Sequence, residues 1–256
     1  MINAAIGISL AIATSCVDAQ PENELPELPV FESTTGILDI TMETSIQNDV
    51  KVGSKQLDGL NTLTVRCTET GNDCTKSSGP TSAGVYAGVV LNVLPDSELH
   101  VSAINSIEGS ASHSHAGHCM SSSADWDPLA GWSSQDSLFN IHTHGLLTSP
   151  YRHESGNNGV VLGDNIFDCA QGMGATLRYE TLLGSKQGSQ TPPGTTQPPG
   201  VNWFHPHVHG IAKAQVSSGM AGMIVIPGEP YTTADGNEIK WSRERNILLK
   251  DMQIVQ

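Results

Sequence analysis

From Gly36 to the C-terminal end, no stretch of this chain keeps a helical hydrophobic period for three turns, which argues against helical bundles and helix-covered parallel sheets. What recurs instead are short β-branched or alternating runs: GILDITM, LTVRCT, VYAGVVLNVL, ELHVSAI, SLFNIHTHGLL, ATLRYETLL, VNWFHPHVHG and GMIVIPG, divided by Gly, Ser, Asn and Pro. Runs of that length with turn residues between them predict an all-β class, a sandwich or a barrel. Two segments interrupt the pattern. SIEGSASHSHAGHCMSSSADWDPLAGWSSQD is a Ser/Gly/His-rich insertion, and GSKQGSQTPPGTTQPPG is a Pro/Gly loop whose composition cannot form a packed core. The 256 residues suffice for one large or two small domains with a real core.

The chain ends carry their own signals. MINAAIGISLAIATSCVDAQ has an apolar run from Ala4 to Ala13, too short to span a bilayer as a helix and of signal-peptide length. Val17 and Ala19 offer small residues for cleavage, so residues 1–19 are expected to be a signal peptide, although no Lys or Arg precedes the run. Cys16 is a candidate acylation site. The expected destination is therefore outside the cytoplasm: secreted, periplasmic, or at the cell surface through a lipid on Cys16. Residues 20–35, rich in Pro and Glu, read as an extended linker. Residues 229–256 read as a connector, GEPYTTADGNE, followed by an apolar strand in RERNILLKDMQIVQ.

Setting Cys16 aside leaves Cys67, Cys74, Cys119 and Cys169, enough for two disulfides in an oxidising compartment. CTETGNDC could close a hairpin through Cys67 and Cys74, but sequence does not fix the pairing. The 12 Lys+Arg against 26 Asp+Glu give a net charge of −14, which argues against a nucleic-acid partner and is the ordinary mark of a soluble surface.

Chemistry concentrates in the histidines. A strand rises about 3.3 Å per residue and alternates faces, so His-x-His places two imidazoles on one side roughly 7 Å apart. In SLFNIHTHG, Phe139 and Ile141 point one way and His142 and His144 the other. In NWFHPHVHG, His205, His207 and His209 share a face with Trp203, opposite Phe204 and Val208. Neutral imidazole suits copper, zinc, iron and nickel rather than hard cations. A spacing of 7 Å in a flat strand favours adjacent ions of a cluster over one shared ion. A single His-x-His is an ordinary surface accident; two of them, each closed by a glycine, are not. His209 reads equally as a residue that caps or hydrogen-bonds the others. His113, His115 and His118 in the Ser-rich insertion are expected in a solvated loop rather than a second metal site.

These residues carry a family resemblance. FNIHTHGL, then GDNIF, WFHPHVHG and QVSSGMAGMIVI, resemble the N-terminal cupredoxin domain of laccase-like multicopper oxidases in the order and approximate spacing of their motifs. The resemblance covers about residues 36–228 apart from the two insertions, and implies a cupredoxin-like Greek-key β-sandwich. It implies that His142 is a type 2 copper ligand and that His144, His205 and His207 bind the type 3 pair. Asp164, in GDN, stands where an acidic residue could relay protons to bound oxygen; an Asx turn is the plain alternative. Trp203 and Phe204 are expected to wall the site from solvent. RERNILLKDMQ resembles the opening strand of the family's second domain.

What the resemblance implies about partners follows: dioxygen, a reductant, and C-terminal cupredoxin domains of the same or a neighbouring chain. Those domains carry the other half of the histidine cage and, in a His-Cys-His motif, the type 1 copper. This sequence has no such motif, and His118-Cys119-Met120 crowds its donors together in the insertion. The chain thus reads as half of a trinuclear copper site. Other readings remain open at this point. A stand-alone copper storage or delivery module would use the same four histidines. A copper nitrite reductase-like protein would need Cys where Pro206 stands, and a zinc hydrolase would need a general base that nothing supplies.

Overall fold

The computed structural model of the protein describes residues 28–33, 36–52, 55–68, 74–78, 88–107, 115–118, 138–148, 160–162, 164, 166–183, 197–208, 210–228, 231–232, 234–239 and 247–249. The expected signal peptide with Cys16, and His113, Cys119 and His209, lie outside them. Along the chain come β1 (Val30–Ser33), β2 (Ile37–Gln47), a small hairpin of β3 (Val50–Val52) and β4 (Lys55–Leu57), then β5 (Leu60–Cys67) and β6 (Cys74–Ser78). β7 (Val90–Asn92), β8 (Glu98–Asn105), β9 (His115–His118), β10 (Leu138–Phe139) and β11 (His142–His144) follow. Next are β12 (Val160–Leu162), β13 (Asp168–Gln171), β14 (Thr176–Leu182) and β15 (Gly200–His205). The short helix α1 (Ala212–Ser217), β16 (Gly222–Ile226) and the hairpin β17 (Tyr231–Thr232) and β18 (Glu238–Ile239) complete the described elements.

Two mixed sheets form the body. One is ordered β11-β15-β16-β7-β1-β6 and the other β12-β14-β8-β2-β5. Their inner faces share one core: Phe31, Leu91, Phe204 and Ile224 from the first sheet meet Leu38, Ile40, Met42, Leu99, Val101 and Leu177 from the second. Period-2 alternation does the sorting, since β8 turns Leu99, Val101 and Ala103 inward and leaves Glu98, His100 and Ser102 on the outer face. The chain crosses between these two sheets after β1, β5, β7, β11 and β14, so the all-β sandwich expected from the sequence is the observed architecture. β16 is buried on both faces: Met223 and Val225, with Val90, form a second apolar cluster against Leu28, Val30 and Leu248.

Three expectations change. The linker assigned to 20–35 ends too late, because Val30–Ser33 is a strand between β7 and β6 and Phe31 is buried; its Pro/Glu-rich approach masks a short alternating run. Cys67 and Cys74 do form a disulfide, with Cα atoms 5.5 Å apart, but they close no hairpin. β5 and β6 are edge strands of different sheets, so the bridge staples the sandwich along one edge. Third, His115–His118 is not loop but strand, paired antiparallel with β13 so that His118 lies opposite Asp168 and His115 opposite Gln171. Cys169, buried on β13, is also disulfide-bonded.

On the outer face of the five-stranded sheet, Arg178 reaches over β8 and grips Asp39 with two parallel bonds of 2.7 and 2.6 Å, while also donating to Ser102. Burial raises the Asp39 pKa, but bonds from Arg178 and Thr68 and the charges of Arg178 and His100 outweigh it, so the carboxyl ends below its ordinary value. A depressed carboxylate pKa contributes stability above the unfolded value of about 3.9 and loses it as pH falls through the folded value. Asp39→Asn is therefore expected to lower unfolding free energy by about 1.5–3 kcal/mol at pH 6–7, the range for hydrogen bonds to charged groups. In urea titrations the gap between variant and wild type should shrink steadily below about pH 4; a gap independent of pH would refute the assignment.

Candidate metal centre

The imidazoles sit at the edge opposite the disulfide staple, on β11, the edge strand of the six-stranded sheet, and on its neighbour β15. The two strands pair antiparallel with His142 opposite His205, Thr143 opposite Phe204 and His144 opposite Trp203. Alternation does the placing. Phe139, Ile141 and Phe204 are buried in the main core, which leaves His142, His144, Trp203 and His205 on the other face. Gly145, at φ +96, ends the His-x-His run in a conformation that favours glycine, and a Cβ there would lie 2.6 Å from Asn202 Oδ1. Gly222 lies opposite Phe204, and a Cβ on it would meet that ring at 2.5 Å. The glycine is what lets the ring lie flat beneath the histidine strand.

The rings converge more tightly than a flat strand would bring them. Ring centroids are 5.4 Å apart for His142 and His144, 5.3 Å for His142 and His205, 5.0 Å for His142 and His207, and 5.6 Å for His205 and His207. One ring nitrogen from each of His142, His144 and His205 lies within 4.8 Å of the other two. The spacing of roughly 7 Å expected for a flat His-x-His is therefore not what the folded strand adopts.

Two of the rings have an oxygen behind them. Nδ1 of His205 donates to the Pro206 carbonyl at 2.8 Å, which fixes the tautomer and leaves Nε2 with its lone pair free. Nδ1 of His142 lies 2.6 Å from Asp164 Oδ2, a close charge contact out of line for a good hydrogen bond. The other Asp164 oxygen accepts from Thr143 N at 3.2 Å, so the carboxylate is tied to the histidine strand rather than spent in a turn of its own. Carboxylate and carbonyl backing of this kind is what metal-ligating imidazoles ordinarily have. Burial lowers the His205 pKa; the bond to Pro206 opposes this, and the nearby His142, His207 and His144 add to it. The shift favours the neutral ring, the form that ligates. The donor set, three convergent imidazoles with two backed by oxygens, fits copper or zinc.

Trp203 and Phe204 split their expected shared role. The indole stacks on His205 at 4.3 Å and on His144 at 4.9 Å while remaining 39% exposed, so it lies against the site without closing it. Phe204 faces the core and walls nothing. The strand ends at His205, and His207 stands in the irregular segment after it, held by two contacts that sequence reading missed. Its N–H donates to Asn140 Oδ1 at 2.8 Å, and the next residue, Val208, packs with Cys169 and Ile211. Asn140 also donates to Ile166 O at 3.0 Å and is fully buried. The available signal was an amide between Phe139 and Ile141, in a run that otherwise reads as strand. Asn140→Ala removes two part-buried hydrogen bonds, each worth about 0.5–1.5 kcal/mol, and is expected to cost about 1–3 kcal/mol in a denaturant titration; a change under about 0.5 kcal/mol would show the clamp to be idle.

No family model matches the chain, and no curated protein matches it by sequence. Among solved structures it is similar to a laccase-like multicopper oxidase from Ochrobactrum sp., at 16% identity over 80% of this chain and 30% of that one, with a TM-score of 0.37. It is similar also to a Campylobacter jejuni multicopper oxidase described as a metallo-oxidase, at 18% identity over 79% and 29% of the two chains, TM-score 0.38. The McoA multicopper oxidase of Aquifex aeolicus matches at 15% identity over 79% and 29%, TM-score 0.40. The chain spans about 30% of the length of these proteins. Among the described residues no helix is long and apolar enough to cross a membrane.

Proposed function

We propose that this chain is the copper-binding N-terminal part of a multicopper oxidase, which couples one-electron oxidation of a reductant to the reduction of dioxygen to water. The observation that carries the reading is the in-register pairing of two His-x-His segments, His142 opposite His205, on neighbouring strands at an open sheet edge. His144 and His207 are exposed, as ligands of a cage completed by another cupredoxin unit would be. In the roles the resemblance implies, His142 holds the type 2 ion and His144, His205 and His207 contribute to the type 3 pair. Copper in that cage supplies the single-electron steps that together convert O2, four electrons and four protons into two waters.

The chain's own contribution is placement and protons. Pro206 holds Nδ1 of His205 and so leaves its Nε2 to ligate, and Asp164 stands behind the ring of His142. Asp164, buried at 8% exposure and 2.6 Å from His142, is a carboxylate of this chain placed to pass a proton toward reduced oxygen. The type 1 copper, the reductant pocket and the remaining histidines belong to the rest of the parent protein. Export from the cytoplasm, with or without a lipid on Cys16, accompanies this reading. The test is oxygen consumption by the complete, copper-loaded gene product with a phenol or a reduced metal ion as electron donor. Stoichiometric oxygen uptake without released peroxide is expected, and absence of uptake with either donor refutes it.

A further inference from the structure

The strand that carries His142 and His144 lies at an edge, with β15 as its one neighbour among the described strands of its sheet. An edge leaves a row of backbone N–H groups facing outward, and a buried N–H without an acceptor is costly. Ile141, just before β11, and Thr143, within it, stand two residues apart, so in an extended chain their N–H groups face the same side. Both are taken by side chains. Thr143 N donates to Asp164 Oδ1 at 3.2 Å, and Ile141 N donates to the hydroxyl oxygen of Tyr179 at 3.1 Å. A carboxylate and a phenol thus fill the places that a further strand would occupy.

Tyr179 comes from β14, in the opposite sheet, and its ring lies in the main core with Phe139, Ile141 and Phe204. The bond to Ile141 therefore crosses the sandwich and ties the histidine strand to the other sheet. β14 is a firm anchor, because it pairs with β8 along its whole length and Arg178, the residue before Tyr179, is bound on the outer face to Asp39. A phenylalanine would fill the same apolar space; what the hydroxyl adds is this bond. Burial pushes the Tyr179 pKa up, the bond from Ile141 opposes this, and the charges of Asp164 and Asp168 add to it. The phenol stays protonated at neutral pH, so its oxygen is an acceptor of constant strength.

We propose that Tyr179 is a positioning residue of the histidine centre: by holding the Ile141 N–H it fixes where His142, the next residue, stands against His205 on the neighbouring strand. It acts through the strand and touches neither ion nor substrate. Asp164 works beside it, holding Thr143 N with one oxygen and facing His142 Nδ1 with the other. His142 is thereby held at both of its chain neighbours. Loss of the hydroxyl leaves the N–H of Ile141, a residue 2% exposed, without its acceptor, and the strand shifts until the group finds another. The consequence for turnover rests on the oxidase reading; the consequence for His142 does not.

Tyr179→Phe keeps the core filled and removes only the oxygen. In the metal-free 256-residue chain, the imidazole NMR signals of His142 are expected to shift, while those of His100, on the outer face of the other sheet, stay in place. In the complete, copper-loaded gene product, kcat for oxygen uptake should fall roughly 10–100-fold, the loss typical of removing a residue that supports a metal ligand. KM for the electron donor should be unchanged, and the pH profile of kcat should keep its shape. Ile40→Val, a methyl deletion on β2 with a comparable stability cost, should change neither the His142 signals nor kcat. Unmoved His142 signals overturn the proposal, as does an equal fall of kcat in Ile40→Val, which would make the effect one of stability alone. A reshaped pH profile overturns it too, because it would put Tyr179 in the proton path. If the complete gene product consumes no oxygen, the oxidase reading fails, and the His142 signals still decide whether Tyr179 positions that histidine.

Discussion

On the oxidase reading proposed above, His205→Ala in the complete gene product is expected to lower oxygen consumption by more than about 100-fold, beyond the loss typical of removing only a supporting residue, while the blue absorption of a type 1 copper held by another cupredoxin unit persists. His205 is the most consequential of the four because every placement converges on it. It lies opposite His142, stacks on Trp203, and is the most buried at 9% exposure, with Nδ1 committed to Pro206. Alanine there removes a pre-oriented lone pair and leaves the indole without one of its two partners. Oxygen uptake and the visible spectrum, measured on one preparation, separate the outcomes. Lost uptake with retained blue colour places the defect at the histidine cage, and uptake within about tenfold of wild type, the low end of that range, would show His205 to be dispensable.

The sandwich was legible because its evidence is local. ELHVSAI and ATLRYETLL read as strands from their own alternation, and the folded strands follow it, with Leu99, Val101, Leu177 and Tyr179 inside. The apolar-in, imidazole-out split of FNIHTHG and NWFH was legible for the same reason. Four things were not. Pairing register depends on which strands meet, so nothing in either segment announced that His142 would face His205. Ring convergence depends on side-chain lean and on the Trp203 stack, and a flat-strand estimate missed both. The Asn140 clamp joins residues 67 positions apart, a distance at which single-sequence patterns carry no signal. The early start of the domain at Val30 was hidden by its proline-rich approach.

The same alternation makes neighbouring residues 203 and 204 a sharp contrast in stability. Phe204, 1% exposed in the core, lies against Gly222 so closely that no other residue type fits beneath it without a shift. Removing the ring leaves a cavity between β15 and β16 that glycine cannot fill, and Phe204→Ala is expected to cost about 3–5 kcal/mol. For a domain of this size that is a fall of roughly 6–20 °C in melting temperature. Trp203→Ala, one residue away on the imidazole face, removes a ring already 39% exposed and is expected to cost less than half as much. Thermal melts of the metal-free variants decide it, with metal absent so that ligand binding does not mask the difference. If the two substitutions destabilise equally, Phe204 is not the inner residue of this strand. The apolar-in, imidazole-out sorting that places the histidines would then fail together with the core assignment, since one register fixes both.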